Sequence, residues 1–236
     1  MVKENDKKNN PMRTYIFVLI LLTASVVQAA APLTATYQAY AMGLNLLEAT
    51  MQVSEAPETY TIQTATQTKG LLGLFMDSRQ RFFTQGRKDS FTPVYSMMTR
   101  KGNKRIIDFS NYPEHFDYQA VVWALMTRQP PIPPTMTYTV WDGKRVLLLT
   151  FTYLGKEQLP PSDTPFQGAA DRYTLQIDIL AGKKKGWFFE RTGPKENPPL
   201  RLWFQSTNAA RHALLVRGEF ETALFGTITV LLTKVH

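Results

Sequence analysis

A chain of 236 residues, 44% of them hydrophobic and 19% charged, has the composition of a globular protein and is too short for a large multidomain assembly. Its formal net charge is +8. It contains no cysteine, which excludes disulfides, thiolate metal sites and cysteine nucleophiles. Three histidines, His115, His212 and His236, are too few for a histidine-rich site, so neither a metal nor a cofactor is expected.

The N-terminus has the layout of an export signal. Lys7, Lys8 and Arg13 form a basic stretch, and Tyr15 to Val27 is apolar except for Thr23 and Ser25. Val27 and Ala29 then place small residues where a signal peptidase needs them, with cleavage after Ala29. The apolar run, about 13 residues, falls short of the roughly 20 that cross a bilayer as a helix. Residues 1–29 therefore read as a signal peptide, starting at Met1 or at Met12, and residues 30–236 as a single domain delivered to an extracytoplasmic compartment. Removal of Lys3, Lys7, Lys8, Arg13, Glu4 and Asp6 leaves a net charge of about +6. In that compartment the acidic partners are lipid head groups, lipopolysaccharide phosphates or acidic glycans, and no nucleic acid is expected.

Beyond residue 30 the prevailing pattern is alternation with period two, the mark of strands with one buried face. Leu47, Ala49, Met51 and Val53 alternate with polar residues, as do Tyr60 and Ile62. The pattern continues through Met136, Tyr138 and Val140, and through Leu147, Leu149, Phe151 and Tyr153. It returns at Tyr173 to Ile179 and again at Ile228, Val230 and Leu232. Gly102-Asn103 and Asp142-Gly143 sit between such runs and predict tight hairpins. Short connections favour antiparallel pairing. One stretch departs from this: Val121, Val122, Leu125 and Met126 recur at helical spacing between Asp117, a suitable N-cap, and the prolines 130, 131, 133 and 134. The expected fold is all-β and mainly antiparallel: a strongly curved sheet or half-barrel of about 11–12 strands, with one short helix over residues 117–128 packed against its concave face.

The order of local motifs resembles the domain of unknown function 3108 family of exported bacterial proteins. The resemblance runs from Tyr40, Gly43 and Glu48-Ala49-Thr50, through Thr68-Lys69-Gly70-Leu71-Leu72-Gly73 to Arg79, Phe82, Gly86 and Pro93-Val94-Tyr95. It continues with the helix at Asp117, Trp141-Asp142-Gly143, Gly168-Ala169 and Glu221-Thr222 to Gly226. Members often carry a second glycine where Leu47 stands and a cysteine near Tyr173, which this chain lacks. The resemblance implies periplasmic residence and a curved β architecture, and brings no catalytic residues. By fold analogy alone, the architecture is also similar to outer-membrane lipoprotein carriers.

Two candidate ligand-binding groups stand out. Gly70 to Met76 is an apolar, glycine-punctuated connection whose Leu71, Leu72, Leu74 and Phe75 suit contact with lipid or the mouth of a cavity. Arg79, Arg81, Arg100 and Arg105 flank neighbouring strand ends and would form a phosphate-binding patch if their heads met. No catalytic residue is assigned, because no nucleophile signature accompanies His115 or His212. The leading reading is a non-enzymatic binding or carrier module for an apolar or amphipathic, lipid-like envelope ligand, with peripheral membrane contact. A structural protein with a filled core that docks an envelope partner is the alternative, and a hydrolase of envelope glycans or lipids is the third.

Overall fold

The computed structural model describes residues 31–70, 78–160, 166–182, 199–206, 212–222 and 225–236. Its strands are β1 (Leu33–Ala41), β2 (Leu44–Glu55), β3 (Thr59–Thr68), β4 (Arg79–Arg87), β5 (Pro93–Arg100), β6 (Asn103–Asp108), β7 (Thr135–Trp141), β8 (Arg145–Leu159), β9 (Gly168–Gly182), β10 (Leu200–Ser206), β11 (Ala213–Thr222) and β12 (Gly226–Val235). A 3-10 turn, Phe109–Asn111, and one helix, α1 (Tyr118–Met126), separate β6 from β7.

All twelve strands belong to one open antiparallel sheet, ordered β6-β5-β4-β3-β2-β1-β12-β11-β10-β9-β8-β7. The chain thus builds a six-strand meander outward from β1, crosses to the far edge through α1, and meanders back to β12. Threonine, valine and aromatic residues hold the strands in register by pairing across them; Tyr60 faces Gly86, for example, and Ile62 faces Thr84.

Curvature follows from what α1 touches. Trp123 stacks on Tyr60 of β3, with ring centroids 4.8 Å apart, and meets His212, just before β11, edge-on at 5.1 Å. The strands β2, β1 and β12 lie between β3 and β11 in the sheet. A nine-residue helix reaches both only if the sheet wraps around it. Ala120, Trp123 and Met126 join Ala35, Met51, Ile62, Val216 and Leu232 in one core cluster. Val121 and Leu125 join Val140, Leu147, Phe151 and Leu175 in another. The predicted helix is therefore present, but it is enclosed on nearly all sides rather than resting on one apolar stripe, and Thr127 caps it two residues earlier than expected. Asp117 is the N-cap, its Oδ1 accepting from the Ala120 amide at 2.7 Å.

Two local differences have simple causes. The β5–β6 turn centres on Lys101-Gly102, not Gly102-Asn103: both turn residues have positive φ (49° and 78°), and Asn103 already pairs with Arg100. In β2, a bulge inserts Leu46 between the partners of Ala39 and Tyr40, so Leu46 turns into the core against the simple alternation. Among the described residues, no helix is long and apolar enough to cross a membrane.

Candidate functional site

The concave side is mostly filled by α1 and its clusters, but a cleft of about 750 Å³ remains where the two edges of the sheet approach each other. Its walls are the inner faces of β4, β5 and β6, the first turn of α1, and the β7–β8 hairpin. The edges meet at one point. Arg105 Nη1 donates to the Asp142 carbonyl at 3.2 Å, and a side chain at Gly143 would fall 3.1 Å from Ile107. Beside it, Phe116 covers the rim of β7, its amide donating to Thr139 at 2.8 Å while the Trp141 amide donates back at 2.9 Å.

Cross-strand register sorts the cleft into layers. Gln80, Arg100 and Asn103 form the outermost row; Phe82, Met98 and Arg105 the next; Thr84, Ser96 and Ile107 the deepest. At two residues per layer, the mouth lies roughly 13 Å from the floor. Cations therefore crowd the mouth, apolar groups from Phe82, Met98, Ile107 and Trp141 form the walls, and hydrogen-bonding groups form the floor. At the mouth Arg145 is neutralised: its Nε and Nη2 both donate to Asp142 Oδ2, at 2.9 and 2.7 Å. The other Asp142 oxygen accepts from the amides of Lys144 and Arg145 at 2.8 Å, which fixes the turn. Arg100, Arg105 and Lys144 have no carboxylate partner among the described residues, so the mouth carries surplus positive charge.

The floor is a buried polar network. Asp117, 7% exposed, is bonded to the Thr84 hydroxyl; Thr84 Oγ1 also lies 2.8 Å from Gln119 Oε1, and Gln119 Nε2 donates to Thr64 at 2.8 Å. Burial pushes the Asp117 carboxyl above the usual carboxylate range, and the opposing hydrogen bonds from Thr84, the Ala120 amide, Ser96 and the Gln119 amide only partly offset it. A carboxyl whose folded pKa lies above its unfolded value favours the fold most at pH below the unfolded value, and that contribution is lost as pH rises through the folded value. Asp117→Asn keeps the cap without the ionisation. It is expected to raise the melting temperature at pH 7, with the gain shrinking as pH falls through the folded value and vanishing below about 4. Thermal unfolding at the two pH values measures this; equal shifts at both would show that the carboxyl ionises as readily inside the fold as outside.

The structure divides the arginines read from the sequence. Arg100 and Arg105 line the cleft, whereas Arg79 and Arg81 have odd parity to the inward Thr84 on β4 and lie on the opposite face of the sheet. The four heads thus form no single patch. Leu71, Leu72, Leu74 and Phe75 lie outside the described residues. Sequence reasoning missed Lys144, Trp141, Thr84, Ser96 and Gln119, and took Asp117 only as a helix cap. The signal available was a threonine and a serine at directly paired positions of neighbouring strands, close to a capping aspartate.

A second titratable cluster lies at the other end of the sheet. Glu55 accepts from Lys88 Nζ at 2.7 Å and pairs with His212 Nε2 at 2.8 Å. Burial raises the Glu55 carboxyl, but Lys88 and His212 together outweigh it and hold the group below its ordinary value. This cluster ties three strand ends together. Among the described residues, no three histidine or carboxylate side chains converge as metal ligands. Neither protein-family models nor curated proteins match this chain.

Proposed function

We propose that this protein is a binding or carrier module of the cell envelope whose cleft takes an amphipathic ligand with an anionic head. The observation that carries the reading is the layering: unpaired cations at the mouth, apolar walls beneath them, and a volume of about 750 Å³ within the range of small-molecule sites. Arg100 and Arg105 would receive a carboxylate, sulfonate or phosphate in forked hydrogen bonds. Phe82, Met98, Ile107 and Trp141 would enclose the apolar part. The polar floor suits a ligand whose distal end also bears a hydrogen-bonding group, because an alkyl end there would leave Gln119 and Ser96 facing hydrocarbon. The export signal read from residues 1–29 and the resemblance to exported bacterial proteins support the compartment.

A fluorescent anionic amphiphile such as dansylundecanoic acid tests the site. Binding is expected to enhance dansyl emission, and Arg100→Glu with Arg105→Glu is expected to weaken binding by at least tenfold, about 1.5 kcal/mol for one lost charge-assisted hydrogen bond. Mass spectrometry of extracts from the purified protein, beside a soluble control, would identify a native occupant. Unaltered affinity in the double variant would overturn the assignment of the mouth.

A further inference from the structure

Odd-numbered strands run in one direction through the antiparallel sheet, so the β1–β2, β5–β6 and β7–β8 turns share one rim with the mouth of the cleft. Two of these turns are built against local preference. Met42-Gly43 and Lys101-Gly102 are two-residue connections with positive φ at both positions: 49° and 75° in the first, 49° and 78° in the second. That geometry favours asparagine, aspartate or glycine at the first position, since the left-handed region crowds a longer side chain. The chain instead places a methionine and a lysine there. Met42 is 72% exposed and the adjoining Leu44 47%, so neither is recompensed by packing.

Strained residues with no local gain point to a use elsewhere. Among the described residues the charge on this rim is mainly basic, with Glu221 near the end of β11 an exposed acidic exception. Lys101 and Lys104 are exposed on the β5–β6 hairpin, Arg100 and Lys144 stand at the cleft mouth, and the nearby carboxylates Glu48 and Asp142 are already paired with Lys69 and Arg145. The opposite end is mixed: Glu55, Glu58, Asp89 and Asp108 offset the cations there. Apolar tips on the same rim as lysines that keep their charge in water are the chemistry of an interfacial anchor on anionic lipid.

We propose that this rim docks on the anionic head-group surface of a phospholipid bilayer, Met42 and Leu44 entering the interface while Lys101 and Lys104 lie against the phosphates. The cleft mouth would then face the membrane. The inference does not depend on what the cleft binds, and the two are tested apart.

Because the chain has no cysteine, one reporter can be placed at will. The full chain carrying Leu44→Cys labelled with an environment-sensitive dye is mixed with phosphatidylglycerol vesicles, with phosphatidylcholine vesicles, and with the former in high salt. Emission is expected to shift to the blue with phosphatidylglycerol alone at low salt, while the same dye at Glu58→Cys, on the opposite end, does not respond. Lys101→Asp with Lys104→Glu is expected to weaken the response at least roughly tenfold. Met42→Asn restores the preferred turn residue, so it is expected to leave the fold as stable or more so and yet weaken the vesicle response several-fold. Equal responses at positions 44 and 58, or full binding by Met42→Asn, would overturn the proposal. The cleft variants Arg100→Glu and Arg105→Glu are read by dansyl binding, which the Met42 and Lys101 changes should leave intact.

Discussion

Replacing Trp123 with alanine is expected to lower the unfolding free energy by about 3–5 kcal/mol. That is a large share of the roughly 5–15 kcal/mol that holds a typical domain together. Trp123 is 1% exposed, and its ring is the contact through which α1 holds the β3 side and the β11 side of the sheet at once. The substitution removes the stack, but Tyr60 stays tied through its hydroxyl to the Phe91 carbonyl, so much of the void would persist. Its Nε1 has no acceptor among the described residues, so Trp123→Phe, which deletes an unpaired donor and keeps much of the stacking, should lose far less than the alanine variant. Denaturant unfolding of both variants measures the difference. A loss below about 1 kcal/mol for the alanine change would mean that α1 does not bridge the sheet.

Gly86→Ala is the second large effect, and propensity predicts the opposite sign. A glycine within a strand ordinarily costs about 0.5–1 kcal/mol relative to alanine. Here Tyr60, directly opposite, lies over the bare backbone: a Cβ at position 86 would stand 2.4 Å from Cζ and Oη of that ring. Tyr60 cannot retreat. Trp123 backs its ring at a 16° interplanar angle, and its hydroxyl donates to the Phe91 carbonyl at 3.0 Å. The methyl group therefore meets two rigid aromatic layers, and a loss of about 3 kcal/mol is expected, the upper end of the overpacking range. In a Tyr60→Leu background the same alanine should cost under about 1 kcal/mol, because a flexible side chain can yield. A penalty that is the same in both backgrounds would remove Tyr60 as the cause.

These two residues also show how far the sequence could be read. Alternation announced the β3 run at Tyr60 and Ile62, and Asp117 with its downstream prolines announced the helix, because both signals are local. What lay beyond reach was parity on β4. Phe82 and Phe83 are adjacent, so the apolar pattern does not say which of them faces inward, and the residue that settles it, Thr84, looks like a surface residue. Its place against Asp117 is a tertiary fact, and with it goes the face on which Arg79 and Arg81 sit. The cleft depends on the same long-range placement: Arg105 and Asp142 are 37 residues apart and belong to opposite edges of the sheet. The β5–β6 turn was misplaced by one residue for a different reason, since turn chemistry favours asparagine where the chain uses lysine.

The sheet order contains one junction between strands that are remote along the chain, β1 with β12. There Ala35 meets Val235, and Thr34 and His236 exchange amide hydrogen bonds at 3.0 and 2.9 Å. Every other pairing joins strands consecutive in the sequence and forms by local zippering, whereas this seam has to close a loop of nearly the whole domain, the slowest kind of contact to make. A polypeptide emerging in one direction would therefore carry β1 as an open edge until its final strand arrived. During that interval β1 can recruit β12 from a second molecule, so the arrangement that completes the sheet last is also its natural route to strand exchange between chains.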